Sequence, residues 1–281
     1  MPDVWFPHLG IKIAHLNSTA FTIFGIEIAW YGLIIAFGVL AGLGLACLIA
    51  KKSGQKPEVY TDFIIYALII SVLCARIYYV AFSWDYYAAH PKEIFDIRGG
   101  GIAIYGAVIG AVLTAILYCK FKKYDTWLLV DTAIPGLALG QAIGRWGNFC
   151  NQEVFGGYTD SLFAMRLNVE TAAYTTPELM EKAVTVGGTT YIQVQPTFFY
   201  ESVGNLILVL IMLLIWKKRK TPGVVFSTYF IGYGLLRFVI EGIRTDQLML
   251  WGTHIPVSQA LSAVLFVFGI ALLIYRRRKT A

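Results

Sequence analysis

Seven long apolar stretches constrain what this chain of 281 residues can fold into more than any other feature. They cover residues 25–50, 59–82, 101–121, 126–144, 197–216, 222–242 and 255–275. A helix rises 1.5 Å per residue, so ~20 apolar residues cross the ~30 Å hydrocarbon core of a bilayer. No water is present there to satisfy backbone N–H and C=O groups, so a segment of this kind closes its hydrogen bonds internally, as a helix. Charged residues make up only 14% of the chain, well below the ~25% of an ordinary soluble domain, and mean hydropathy is +0.64. The expected fold is therefore all-α and polytopic, with seven transmembrane helices in a single integral membrane domain over residues 1–281.

Two segments fall outside the spans. An external N-terminal arm covers residues 1–20, and a polar stretch of about 150–195 separates the fourth span from the fifth. Within that stretch SLFAMRLNVE and TTYIQVQPT read as short strands around a VGGTT turn, which predicts a small external cap that is α/β or β-containing. The opening MPDVWFPHLG lacks the basic start of a cleaved signal peptide, so the first apolar run is expected to be retained. No internal repeat is visible.

Basic residues orient the spans. Lys51, Lys52 and Lys56 follow the first; Lys120, Lys122 and Lys123 the third; Lys217, Lys218, Arg219 and Lys220 the fifth; Arg276, Arg277, Arg278 and Lys279 the seventh. The opposite face holds Lys12, Lys92, Arg98, Arg145, Arg166, Lys182 and Arg244. Positive charge stays cytoplasmic, so the chain is expected to run N-out and C-in. The same blocks account for the net charge of +6 as a topology signal, so no nucleic-acid partner is expected. Cys47, Cys74, Cys119 and Cys150 have no paired spacing, and His8, His15, His90 and His254 no ligand spacing; neither a disulfide framework nor a metal site is expected.

With this topology the polar residues gather toward the outer side. Arg76 falls in the outer half of the second span, RGGGIAIYG (98–106) at the entrance of the third, and Arg145 at the end of the fourth. Tyr200 and Glu201 open the fifth span, and Tyr31 lies early in the first. On the sixth, Tyr233, Arg237, Glu241 and Arg244 are spaced to form one helical stripe. Arg237 and Glu241 alone also fit a structural i,i+4 ion pair. That account leaves unexplained why Arg76, Arg145, Asn148 and Glu153 share their depth. Ionisable groups in a bilayer mark function by default. Arginine presents a planar fork to phosphate oxygens, so several at headgroup level point to a phospholipid headgroup. Glycines 99–101, 106, 144, 147, 156 and 157 are expected to let backbone N–H groups approach the anion, although glycine also serves helix packing. A transporter for an anionic solute is the competing class. It predicts charge at the midplane and repeated halves, which this chain lacks. A structural scaffold gives the polar cluster no purpose.

GRWGNFCNQEVFG (144–156) resembles the signature stretch of the bacterial prolipoprotein diacylglyceryl transferases. YGLLRFVIEGIR (233–244) is similar to the family's second conserved stretch, GGGIAIYGAVIG (99–110) to its third-span motif, and WYGL (30–33) and QPTFFYES (195–202) to two more. The resemblance covers nearly the whole chain. It implies an enzyme that moves the sn-1,2-diacylglyceryl group of phosphatidylglycerol onto the lipobox cysteine of a prolipoprotein signal peptide, releasing glycerol-1-phosphate, without metal or cofactor. It implies a place in the bacterial cell membrane, among its lipids, with the active site facing the outer leaflet. Arg145 and Arg237 match the family's essential arginines and are expected to clamp the phosphate. Asn148 and Gly156 match signature positions, and Glu153, Glu241 and Arg244 would orient the arginines or receive a proton. Tyr31 and Tyr233 match tyrosines lining the site, and Arg76 is expected to join the headgroup contacts. Many members carry His where this chain has Tyr105. A neutral tyrosine, with pKa about 10, is a poor base at pH 7. Tyr105 is therefore expected to position substrate, with a carboxylate or the leaving phosphate taking the proton.

Overall fold

The computed structural model describes residues 1–96 and 100–280, so Arg98 and Gly99 lie outside the described residues. Four short strands come first: β1 (Val4–Phe6), β2 (Ile11–Ile13), β3 (Thr19–Ile23) and β4 (Ile26–Ala29). The helices α1 (Trp30–Lys52), α2 (Glu58–Phe82) and the short α3 (Trp84–Ala89) follow, then a 3-10 turn (Pro91–Phe95), α4 (Ile104–Lys122) and α5 (Thr126–Cys150). Next come β5 (Met165–Asn168), the single-turn α6 (Pro177–Met180), β6 (Val184–Val186) and β7 (Thr189–Val194). The chain closes with α7 (Thr197–Lys218), α8 (Val224–Glu241) and α9 (Val257–Thr280). Among the described residues seven helices, α1, α2, α4, α5, α7, α8 and α9, are long and apolar enough to cross a membrane. The protein is thus a mostly helical, multi-pass membrane protein with a small β-containing region.

The helix limits shift by a few residues from the hydropathy reading, and two of the larger shifts have a local reason. The first span starts at Trp30 because the apolar residues before it form a hairpin. Thr22 pairs with Glu27 and Ile23 with Ile26, and the two loop residues Phe24 and Gly25 both have positive φ (50° and 78°), as a tight two-residue hairpin requires. The fourth span runs on to Cys150, so the polar stretch GRWGNFC forms the last turns of α5 instead of following it. That helix ends where Gln152 takes a left-handed φ of 50° and Glu153 N–H returns to the Asn148 carbonyl at 3.0 Å.

The chain forms two compact units, Met1–Gly42 with Ile134–Ala281, and Leu43–Ala133. In the first, a five-stranded antiparallel sheet has the order β2-β1-β5-β7-β6. The two strands expected in SLFAMRLNVE and TTYIQVQPT are β5 and β7, and the N-terminal β1 joins them at β5. Val4, Phe155, Met165, Leu167, Leu179, Ile192, Val194 and Phe198 close the core beneath this sheet. α8 packs against α7 and α9. A Cβ on Gly234 of α8 would stand 2.8 Å from the Ser262 carbonyl oxygen of α9. α1 and α5 meet through two facing GxxxG motifs. Gly42 and Gly136 each place the missing Cβ on the other's carbonyl oxygen, and Gly38 comes within 3.1 Å of the Gly140 oxygen. Small residues let the backbones touch where lipid supplies no hydrophobic drive.

In the second unit α2 packs on α4. A Cβ on Gly106 would lie 2.7 Å from Ala75 Cα, and one on Gly110 2.8 Å from Ser71 Cα, so this pair of glycines is a packing surface too. Ala46, Ala50, Tyr60, Ala115, Tyr118, Cys119 and Leu129 form the unit's core.

Candidate functional site

Three helices of the first unit bring charge to one end, beside the sheet. Arg145 lies near the end of α5, Glu201 in the first turns of α7, and Arg237 and Glu241 in the last turns of α8. They form a single ladder. Arg145 Nε contacts Glu201 Oε2, and the other Glu201 oxygen accepts from Arg237 Nη1 at 2.6 Å. Arg237 Nη2 lies 2.7 Å from Glu241 Oε2, and Arg244 Nη1 reaches the same oxygen at 3.8 Å. Arg244 then grips Asp246 with two parallel bonds, Nε to Oδ1 at 2.8 Å and Nη2 to Oδ2 at 2.6 Å. Three arginines alternate with three carboxylates. The two glutamates keep only 3% of their side-chain surface, so each is a buried charge held by arginines on both sides. Burial alone would push the Arg244 guanidinium down. The hydrogen bond and charge of Asp246 outweigh burial and hold it above its ordinary value.

The expected Arg237–Glu241 pair therefore exists, as one rung of a ladder across three helices. Glu201 was legible as an intramembrane acid but absent from the expected site residues, yet it is the one that joins Arg145 to Arg237. Arg145 remains 20% exposed, and among the described residues no hydrogen bond runs from its two terminal nitrogens. Anchored at Nε, it presents a free planar fork.

Beside the ladder, Asn148 Nδ2 and Asn151 Nδ2 both donate to Glu153 Oε1, at 3.0 and 3.1 Å. The following turn is pinned by backbone bonds. Gly156 N donates to the Gln195 carbonyl, Gln195 N to that of Gly157, and Gly157 N to that of Ile243, each at 3.0 Å. Gly156 also bridges to Arg244, which ties the signature stretch to the ladder's end. Trp146 Nε1 donates to Ser202 Oγ at 3.2 Å, next to Glu201. Tyr31 lies over Gly147, where a Cβ would come within 2.6 Å of its ring. Tyr233 stacks on Tyr229 at 5.3 Å, and Tyr229 donates to Gln141 Oε1 at 3.1 Å. Most of the glycines expected to open space for an anion instead let neighbours in. Gly106 is filled by α2, Gly144 meets Ile35 at 3.1 Å, Gly147 meets Tyr31, and Gly156 meets the Ile243 carbonyl at 2.8 Å.

Arg76 and Tyr105 belong to the second unit. Arg76 is 6% exposed and does not offer a free fork. Its Nε donates to the Ile94 carbonyl at 2.9 Å, Nη1 to those of Gly100 and Gly101 at 3.0 and 2.9 Å, and Nη2 to that of Glu93, while Tyr87 covers its face at 5.1 Å. Arg76 thus holds this loop in place. Ala103 N donates to the Ala75 carbonyl at 3.2 Å, and α4 starts one residue later, placing Tyr105 in its first turn, 6.3 Å from the Tyr78 ring. Among the described residues no group of three His, Cys, Asp or Glu side chains could hold a metal ion.

Seven membrane-length helices define a multi-pass membrane protein, and α5, α7 and α8 of its first unit carry an arginine–carboxylate ladder. Comparison with known sequences gives the family. A profile of the prolipoprotein diacylglyceryl transferases matches residues 18–275, and the chain belongs to that family. Relatives named phosphatidylglycerol–prolipoprotein diacylglyceryl transferase include one from Listeria innocua, 44% identical over 96% of this chain and 94% of its own. One from Bacillus licheniformis is 42% identical over 95% of each, and one from Clostridium novyi 42% identical over 92% of this chain and 95% of its own.

Proposed function

We propose that this protein moves the sn-1,2-diacylglyceryl group of phosphatidylglycerol onto the lipobox cysteine of prolipoproteins, the first step of bacterial lipoprotein maturation. The observation that carries the reading is the half-engaged Arg145, fixed at Nε by Glu201 with its terminal nitrogens open. The substrate thiol is the nucleophile, reacting as thiolate. Its sulfur attacks the glyceryl methylene bonded to the phosphate oxygen. The C–O bond breaks, a thioether forms, and glycerol-1-phosphate leaves with the bonding pair. Charge grows on the departing phosphate, where preorganised arginine donors lower the barrier. Arg145 and Arg237 are the donors, Glu201 and Glu241 align them, and Arg244 secures the ladder's end. Asn148 and Gly156 shape the wall, Tyr31 and Tyr233 flank the lipid, and Tyr105 positions substrate.

The thiol proton must go elsewhere. Glu201 and Glu241 each hold arginines in line, and taking up a proton would undo that alignment. Glu153 has only amide donors on one oxygen, so it or the leaving phosphate takes the proton. The site faces the outer leaflet of the cell membrane in the N-out arrangement that the basic blocks support.

The test uses purified protein, phosphatidylglycerol and a lipobox peptide, read by mass spectrometry. A diacylglyceryl adduct on the peptide cysteine is expected, and Arg145→Ala and Arg237→Ala should each lose about 100- to 1,000-fold in turnover while remaining folded. No adduct on the peptide, with an active control enzyme alongside, refutes the transferase reading.

A further inference from the structure

On the sheet side of the ladder lies a second recess that none of the chemistry above uses. It is a cleft of about 410 Å³. Gly157, Leu179 and Thr245 form its floor, and Tyr158, Glu178 and Lys182 its walls. The floor continues the ladder. Thr245 follows Arg244 directly, and Gly157 follows Gly156, which bridges to Arg244. It is also built in advance. Thr245 Oγ1 donates to the Phe155 carbonyl at 3.0 Å and lies 3.1 Å from Tyr174 Oη, while Gly157 N is bonded to the Ile243 carbonyl at 3.0 Å.

The walls are mixed in chemistry. Lys182 Nζ sits 4.6 Å over the Tyr158 ring, which is itself 42% exposed. The Glu178 carboxyl is held below its ordinary range by its own backbone N–H and by the Thr176 hydroxyl. Leu179 gives a buried apolar base, fixed because its N–H caps onto Thr176 Oγ1 at 3.4 Å. A Cβ on Gly157 would meet nothing within 4 Å, so the floor has open room for another backbone.

We propose that this cleft receives the first mature residues of the prolipoprotein, the segment immediately after the lipobox cysteine. The assignment rests on the transferase reading. The reacting thiol has to stand at the ladder. The residues before it are an apolar signal peptide, at home in lipid, whereas those after it are polar and have to leave the bilayer plane. The cleft adjoins the ladder at Arg244, through Thr245 and Gly157, and its other lining residues belong to the region between α5 and α7 in sequence. An extended strand advances ~3.3 Å per residue, so a recess of this size seats about two or three residues. An acid, a base, an aromatic face and an apolar floor together suit a segment of varied sequence held by its backbone and general polarity.

The experiment compares two synthetic lipobox peptides on the full-length protein with phosphatidylglycerol: one ending directly after the cysteine as an amide, the other extended by four polar residues. On the unaltered protein the extended peptide is expected to show a KM about tenfold lower, equivalent to about 1.4 kcal/mol of cleft contact. In a Tyr158→Ala, Lys182→Ala double variant, whose replaced side chains are exposed, that ratio should collapse toward one. Equal KM values for both peptides on the unaltered protein overturn the proposal, whatever the variant does. So does a ratio that survives in the double variant. Transfer to neither peptide is the different failure, that of the transferase reading, and takes the cleft assignment with it.

Discussion

Removing the charge of Glu201 separates binding from catalysis in the ladder. Glu201 is 2% exposed and touches Arg145 with one oxygen and Arg237 with the other. Glu201→Gln keeps the shape, retains one neutral acceptor and leaves two guanidiniums without their shared counter-charge. Breaking a fully buried pair costs about 3–5 kcal/mol. Here the arginines keep 20% and 14% of their surface, and the amide oxygen still accepts one bond. About 2 kcal/mol is the expected loss, a factor of about 30 in the fraction of aligned forks. The ladder as a whole moves from neutral to one positive charge, which favours a phosphate. Turnover should therefore fall about 30-fold while the KM for phosphatidylglycerol stays level or drops, the mark of an interaction that matters only in the transition state. Glu201→Asp keeps the charge but is one methylene short of reaching both arginines; it should lose turnover too, with a smaller loss of thermal stability. Both are measured by peptide adduct formation against lipid concentration, with thermal unfolding in detergent as the fold control. A folded Glu201→Gln protein within about twofold of normal turnover would refute the alignment argument, and a higher KM with unchanged turnover would make Glu201 a ground-state binding residue instead.

Three further outcomes follow from the packing. Tyr105→Phe should change the KM for substrate more than turnover; abolished turnover with intact lipid binding would overturn the positioning role. Gly136→Val drives a branched side chain onto the Gly42 carbonyl, an overpacking that costs about 1–3 kcal/mol, so its unfolding midpoint should fall well below that of the lipid-exposed control Leu137→Val; equal midpoints would show that α1 and α5 do not meet through these glycines. Arg76→Lys cannot serve four carbonyls from one ammonium, and Gly101→Ala places a Cβ against Arg76 Nη1 and 2.9 Å from Tyr79; both should speed proteolysis near Glu93 and Gly101, and unchanged cleavage would deny Arg76 its loop-holding role.

Much of this could be read in advance because a bilayer permits few solutions. Apolar length alone reveals seven helices, and the alternation in TTYIQVQPT reveals β7. What stayed hidden depended on contacts distant in sequence. Nothing local in VWF says that it pairs with Met165–Asn168, and the apolar residues of FTIFGIEIA before Trp30 look like helix until the Phe24–Gly25 turn folds them back. The fourth helix outlasts its hydropathy because the side chains of its last turns find protein partners: Trp146 bonds Ser202, Arg145 meets Glu201 and Asn148 bonds Glu153. The GxxxG motifs of α1 and α5 stand in the sequence as GVLAG and GLALG, but only the fold sets them face to face. Arg76 shows the converse limit. An intramembrane arginine points to function by its cost, but the same cost is met when four backbone carbonyls enclose it.

That contrast separates two uses of arginine in this protein. Arg76 has its donors filled by neutral carbonyls whose positions it fixes, so it adds order to a loop without offering a hydrogen bond to a ligand. Arg145 and Arg237 are neutralised by carboxylates: Arg237 carries one on each terminal nitrogen, whereas Arg145 meets its carboxylate at Nε. A ladder with equal numbers of each sign can sit near lipid at tolerable cost, because no charge is left alone. The proposed phosphate contact falls to the terminal nitrogens of Arg145, since its Nε is the atom that meets Glu201. The carboxylates come from α7 and α8 and the first arginine from α5, so no single helix could assemble this arrangement. Close approach of α7 and α8, through Gly204 against Leu236 and Gly232 against Leu208, brings Glu201 into register with Arg237. The small residues of the spans and the charges at their ends thus work together: packing of α7 on α8 sets the geometry in which Glu201 meets Arg237, and the proposed phosphate contact rests on that alignment.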